Sequence, residues 1–373
     1  YDRKQKRLFL ARDRFGEKPI YFYHHDGRFL FSSELKALSA HPHFSPSLDQ
    51  DVLLPYFIFG YIPYPHTIFQ HTKKLPPAHY LVLNLESRKW DVKPYWDMLE
   101  QTPEVGARGE NLEATIQNLD DLLSDSVRLR LVADVPVGAF LSGGVDSGII
   151  FSILNKYSDD KNLNLDPFIF KDNNIAYENA LELCSYYKRK PKIIKDIKYK
   201  PDQLSSLFTV LESTSTYFSQ IQIYKNQNQN GFKVSIDGHG ADECLGGYPR
   251  NILNFIFDYQ NSIAGTYQTL INIAGNKFLK ENIEKYNFVK SVIKYDLNLL
   301  KLMYPSNSSD FNQNKYIENK KIDLVPEFFL NDLEDLESFE HGQQFMIADA
   351  NYGGLQWLLN KWDKTSMASS VEI

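Results

Sequence analysis

Cysteine is scarce in this chain. Its two thiols, Cys184 and Cys244, show no metal-ligand spacing and make no disulfide framework. That excludes a small disulfide scaffold and a zinc finger, and leaves a reducing cytoplasm as the expected compartment. Both thiols read as small core residues, as unpaired cysteines commonly are. No apolar run reaches the length of a membrane span, and no secretory leader opens the chain. Long basic runs are also missing, and the net charge is −6, so neither nucleic acid nor a membrane is an expected partner. No internal repeat is visible. The sequence opens at Tyr1 without methionine and stops at "SMASSVEI". Both ends read as cuts through structured regions, so a fragment is expected.

What is present is ordinary globular material. The chain has 373 residues, 43% hydrophobic and 24% charged, enough for two domains with real cores. Residues 1–97 alternate short aromatic and β-branched runs with turns, as in "RLFLARD", "PIYFYHHDGRFLFSS" and "HYLVLNLESRKWDV". This predicts antiparallel β-structure with a hairpin at Asp26-Gly27 and a short helix near "SELKAL". Residues 98–111 are polar, contain Pro103, Gly106 and Gly109, and read as a linker. From 112 the pattern changes. Ile116, Leu119, Leu122, Leu123, Val127 and Arg130 fall at helical spacing. Then come a strand at "VGAFL", a helix with Ile149, Ile150, Ile153 and Leu154 inward, a strand at "PFIF", a helix at "AYENALELCSYYK" and a strand at "FKVSID". Strands alternating with helices predict an α/β domain with a doubly wound parallel sheet. Beyond about residue 250 the pattern reads as helical.

The stretch "FLSGGVDSGII" at 140–150 sits between a predicted strand and a predicted helix. A glycine turn there exposes the first N–H groups of the helix, and these donors together with the helix dipole favour an anion. Ser142 and Ser147 add hydroxyl donors, while Gly143 and Gly144 let the backbone approach closely. Asp146 would repel a phosphate unless a cation lay between them, which points to magnesium shared with the phosphates. The loop lacks the lysine of G-x-x-x-x-G-K-[ST] and does not fit G-x-G-x-x-G.

"LSGGVDS" resembles the pyrophosphate-binding loop of the ATP pyrophosphatase superfamily. "SIDGHGADECLGGYPR" at 235–250 looks like the second signature of the asparagine synthetase family. "LNKWDKTSMASSVE" at 359–372 resembles the same family's D-[RK]-x-S-M-A-x-S-x-E stretch. On one continuous helix, Asp363, Met367 and Ser370 would share a face, as would Trp362 and Ser366. "LARDRFGEKPIYF", "GRFLFSSELKAL", "FGYIPYPHTIF" and "KLPPAHYLVLN" resemble the last part of the glutaminase domain that precedes the synthetase domain in this family.

The resemblance implies a type 2 glutamine amidotransferase remnant of N-terminal nucleophile type over 1–97, followed by a synthetase domain over 112–373 truncated at its end. It implies ATP and Mg2+ as cofactors, with aspartate and glutamine or ammonia as small-molecule substrates. Aspartate would become asparagine through β-aspartyl-AMP, releasing AMP and pyrophosphate. Phe140, Leu141, Ser142, Gly143, Gly144, Asp146, Ser147, Phe170, Asp237 and Gly238 would hold ATP. Asp146 and Asp242 would take the metal, and Glu212 and Glu243 would face the amino-acid substrate. The resemblance makes Lys364 a residue that meets the acyl group or AMP. It also makes His239, in a position many relatives fill with an acidic or amide residue, a base paired with Glu372. Arg12, Asp13 and Arg14 read as an ion-paired structural network. The nucleophilic cysteine and a catalytic lysine of the family fall outside this stretch, so the chain as it stands is expected to be incomplete for activity. A homodimer is compatible with this reading. The rivals are the same adenylating chemistry on another carboxylate (a sugar acid, a peptide or a β-lactam-type ring closure) and a truncated nucleotide-binding homologue without activity.

Overall fold

The structure, a computed structural model, describes residues 1–53, 56, 61, 62, 64–98, 111–157, 165–171, 175–195, 218–247 and 354–373. The predicted linker, the helical pattern beyond 250 and Glu212 fall almost wholly outside the described residues. The chain separates into two compact units. Tyr1–Ala11 and Ile20–Lys93 belong to the first. Arg12–Pro19, Pro94–Asp242 and Leu355–Ile373 form the second.

In the first unit, β1 (Arg7–Ala11), β5 (His79–Asn84) and β6 (Trp90–Pro94) make one sheet in the order β1-β5-β6. β2 (Tyr21–His25), β3 (Arg28–Ser32) and β4 (Thr72–Lys74) make another in the order β3-β2-β4. The described pairings in both are antiparallel, and helix α1 (Leu35–Ser39) follows β3. The hairpin turns at Asp26 and Gly27, with φ of 50° and 68°. Positive φ at both central residues is what a two-residue turn needs to match strand twist. β2 is buried on both faces because its side chains alternate. Tyr21 and Tyr23 pack with Leu38 and Phe44, while Phe22 packs with Leu10, Leu75, Leu81 and Leu83.

The second unit has parallel strands. β7 (Val137–Ala139) pairs with β10 (Val234–Ile236), and β8 (Phe168–Phe170) pairs with β9 (Lys192–Ile194). A parallel bridge between Phe140 and Phe168 joins the two pairs, so the strands run β10-β7-β8-β9. Such pairing needs crossovers, and helices supply them. The crossovers are α3 (Val145–Lys156), α4 (Ile175–Tyr186) and α5 (Phe218–Gln229); α2 (Leu112–Arg130) precedes β7, and α6 (Ala241–Leu245) and α7 (Gly354–Met367) follow β10. Asn111 begins α2 by accepting the Glu113 N–H at 3.0 Å, a cap on an otherwise orphan donor. The core gathers Val137, Ala139 and Leu141 with Phe151, Ile153, Leu154, Ala180 and Cys184. Each large apolar side chain among them contributes roughly 1.5–3 kcal/mol on burial.

Several expectations change. Among the described side chains of α2 only Val127 is buried, with Leu123 partly so; Ile116, Leu119 and Leu122 are exposed. Helical spacing marks an apolar stripe but not which part of it meets the sheet. Ile149 is exposed, and Phe151 takes a place in the core. Cys184 is buried as expected, and burial pushes its thiol up to about 11, helped by the charge of Asp166. Cys244 is exposed, against the expectation that it would lie in the core. Helix α7 stops at Met367, and Ser370 adopts φ 56°, so Ser370 shares no helical face with Asp363. Among the described residues no helix is long and apolar enough to cross a membrane.

Candidate functional site

The 142–147 loop leaves β7 and enters α3, whose first residue is Val145. Its geometry is fixed by glycine. Gly143 has φ +84°, and a Cβ there would lie 1.7 Å from the carbonyl oxygen of Ala176 at the start of α4. The loop backbone is therefore pressed onto α4 more closely than any side chain allows. Ser142 and Ser147 close the turn from inside. Their hydroxyls lie 2.8 Å apart, the Ser147 hydroxyl accepts the Ser142 N–H at 3.2 Å, and the Ser142 hydroxyl accepts the Gly144 N–H at 3.3 Å. Gly144 caps α3 with no side-chain bond to its first turn. The N–H groups at this helix end are the donors an anion would meet.

The second loop follows β10. A Cβ on Gly238 would lie 2.7 Å from the Ser147 nitrogen and 3.1 Å from the Asp146 Cβ. The two signature loops thus touch through backbone, at the carboxyl ends of neighbouring parallel strands, where α/β sheets bind ligands. Burial raises the Asp146 carboxyl above its ordinary value, and the charge of Asp242 raises it further. A cation beside Asp146 would relieve that carboxylate.

Asp237 is buried among specific partners. The Tyr224 hydroxyl donates to its Oδ2 at 3.1 Å, the His239 N–H reaches Oδ1 at 3.3 Å, and His239 Nδ1 lies 2.6 Å from Oδ1. That last contact lacks the alignment of a hydrogen bond. Burial alone would raise the Asp237 carboxyl, but His239 beside it, through its ring and its backbone N–H, and the Tyr224 hydroxyl hold it below the usual range. The His239 ring rests on Trp362 of α7, with centroids 3.9 Å apart.

The expected His239–Glu372 pair is replaced. Asp237 is the carboxylate at His239, and Glu372 binds Lys18 at 2.5 Å. The reason is local: Asp237 lies two residues from His239 in the same turn. Phe140 and Leu141 commit their N–H groups to the sheet, donating to the carbonyls of Ile236 and Phe168. Phe170 ends β8 beside Ile194. Lys364 lies on α7 next to buried Asp363, and Glu243 is buried in α6. Asp13 accepts the N–H groups of Glu17 and Lys18, Arg12 donates to the carbonyls of Gly16 and Lys18, and Arg14 lies over the Trp96 ring. The contacts of this network include backbone donors to Asp13, backbone acceptors for Arg12 and stacking by Arg14. Tyr224 and Lys18 carry no sequence signal for the roles they take, because their partners are remote or lie on another element.

Lys361 on α7 is 8% exposed, and burial pushes its ammonium down to about 8. An unfolded lysine titrates near 10.4. Between these values the unfolded chain binds more protons, so this residue makes stability rise with pH from about 8 to about 10.4. A melting series over that range should show a slope that Lys361→Met loses relative to wild type.

The structure defines an α/β chain with a glycine turn between a parallel strand and a helix. Comparison with known proteins makes this specific. The asparagine synthase profile matches residues 118–373, and that of the glutamine amidotransferase domain matches 1–96. The chain belongs to the asparagine synthase family. Putative asparagine synthetase (glutamine-hydrolyzing) 2 of Methanocaldococcus jannaschii is 28% identical over 267 residues, covering 69% of this chain and 50% of its own length. Asparagine synthetase (glutamine-hydrolyzing) 3 of Bacillus subtilis is 31% identical over 269 residues, covering 67% and 42%. Amidase chry2 of Gibberella zeae is 26% identical over 270 residues, covering 66% and 39%. The chain thus spans half or less of the length of these relatives.

Proposed function

We propose that this chain carries the synthetase site of a glutamine-dependent asparagine synthetase. In this reading ATP activates the side-chain carboxylate of aspartate as an acyl-adenylate, and ammonia derived from glutamine displaces AMP. The observation that carries it is the contact of the 142–147 loop with the Gly238 turn, which brings the helix N–H donors and Asp146 to one strand edge. Family membership supports the same chemistry.

Residues 142–144, 146 and 147 would hold the phosphates, and Phe140, Leu141, Phe170, Asp237 and Gly238 would line the nucleotide slot. Asp146 and Asp242 fit a hard divalent cation, because both offer oxygen and they repel one another without one. Among the described residues no cluster of three or more His, Cys, Asp or Glu that could hold a metal is found. When bound, magnesium would neutralise the leaving pyrophosphate. His239, oriented by Asp237, would take a proton from the attacking amine, and Lys364 would meet the phosphate or acyl group. Glu212 and Glu243 would face the amino-acid substrate.

The test is ATP–pyrophosphate exchange by the complete gene product. Exchange that requires aspartate supports the reading. Exchange with only another carboxylate favours the second reading, adenylation of a different acid. Nucleotide bound with no exchange for any acid favours a nucleotide-binding homologue.

A further inference from the structure

Residues 12–19 join β1 to β2 of the amidotransferase segment, yet by their contacts they belong to the second unit. The loop is rigidly built. The Arg12 side chain is buried and donates to the Gly16 and Lys18 carbonyls at 2.6 and 2.9 Å. Asp13 accepts the N–H groups of Glu17 and Lys18 at 2.8 and 3.0 Å. The Tyr95 hydroxyl donates to the Arg12 carbonyl at 2.7 Å, and Phe15 packs edge-on to Trp96.

This framework presents Lys18. Its ammonium donates to Asp363 Oδ1 at 2.8 Å and lies 2.5 Å from Glu372 Oε1. Exposed ion pairs contribute little. This one differs because the Asp363 side chain is only 7% exposed. Losing its cation would strand a charge in a buried place. Burial alone would lower the Lys18 ammonium, but Asp363 and Glu372, with Glu17, hold it above its ordinary range.

The two carboxylates bracket the end of α7 and the turn after it. Ser370 in that turn has a positive φ, a costly conformation for a non-glycine residue. Both brackets adjoin the candidate site. Trp362, next to Asp363, carries the His239 ring. Glu372 lies beside β10, donating its N–H to the Lys233 carbonyl and accepting the Ser235 N–H, both at 2.8 Å. β10 then leads into Asp237, Gly238 and His239.

We propose that Lys18 is a positioning residue of the synthetase site: by clamping Asp363 and Glu372 together, it holds the 363–372 segment against β10 and Trp362 against His239. The inference rests on the proposed synthetase function for its kinetic readout, and on the structure alone for its exchange readout.

The test compares Lys18→Met, Lys18→Arg and wild type in the complete gene product. Two readouts are taken: aspartate-dependent pyrophosphate exchange, and hydrogen exchange at the Ser235 and Glu372 amides. Lys18→Met should lower kcat by about tenfold to a hundredfold while leaving the KM for ATP within about twofold, as a small misplacement does. The two amides should lose protection, and Lys18→Arg, which keeps the charge, should restore both readouts. Lys6→Met, which breaks only an exposed pair with Glu86, should change neither. Wild-type protection in Lys18→Met overturns the proposal, whether or not kcat falls. If Lys18→Met does not fold, Glu372→Gln removes one leg of the clamp and must loosen the same amides. If wild type shows no exchange with any carboxylate, the synthetase reading fails, and amide protection still decides the role of Lys18.

Discussion

Gly143→Ala is expected to destabilise the synthetase unit by about 3 kcal/mol or more, the range of strained backbone combined with a forced rearrangement. Two causes add. At φ +84° an alanine sits outside the regions an L-residue prefers, and its Cβ would lie 1.7 Å from the Ala176 carbonyl oxygen. That oxygen is backbone in the first turn of α4, so it cannot rotate away. Either α4 shifts or the loop leaves its place over the sheet edge. Gly27→Ala is the internal comparison. Its φ is +68°, but the nearest atom to a new Cβ is the tip of the Arg88 side chain at 3.3 Å, which can swing aside. It should cost only about 1 kcal/mol. Urea unfolding midpoints of the two variants decide the matter. If Gly143→Ala shifts the midpoint no more than Gly27→Ala, the close approach of loop and helix is wrong.

What was legible in the sequence is what is local. The Asp26-Gly27 hairpin declares itself because its two residues tolerate positive φ. The strand–loop–helix around Ser142 is written in one continuous stretch, with glycines where the backbone approaches Ala176 and Ser147. Pairings across the chain were not legible. Lys18 and Asp363 stand 345 positions apart, and no period or spacing connects them. Tyr224 and Asp237 meet because α5 packs near the end of β10, a fact of packing rather than of motif. His239 is visible as a departure, but that Asp237 lies against it and Lys18 against Glu372 is not. Buried faces failed in the same way. The stripe on α2 is long, but only its Val127 end meets the core.

Asp146→Asn is expected to separate stability from function in the same loop. Burial and the charge of Asp242 raise the Asp146 carboxyl in the folded state. A carboxyl so raised favours the fold while protonated, below its unfolded value, and that contribution is lost as pH rises through its folded value. At neutral pH without metal, the ionised Asp146 therefore works against the fold. Asparagine keeps the shape and removes the repulsion, so the variant should melt at or above the wild-type temperature in chelator. The effect on chemistry runs the other way. If Asp146 and Asp242 share the cation that neutralises pyrophosphate, losing one ligand should cut aspartate-dependent exchange by about a hundredfold to a thousandfold, as losing a preorganised charge-stabilising group does. Magnesium should stabilise wild type in the presence of nucleotide through mass action, and should do so much less in the variant. Asp242→Asn should lower exchange as well if Asp242 is the second ligand of that cation. A variant that melts lower in chelator, or keeps full exchange, would mean that Asp146 is a structural cap of α3 and that the cation, if any, is held elsewhere.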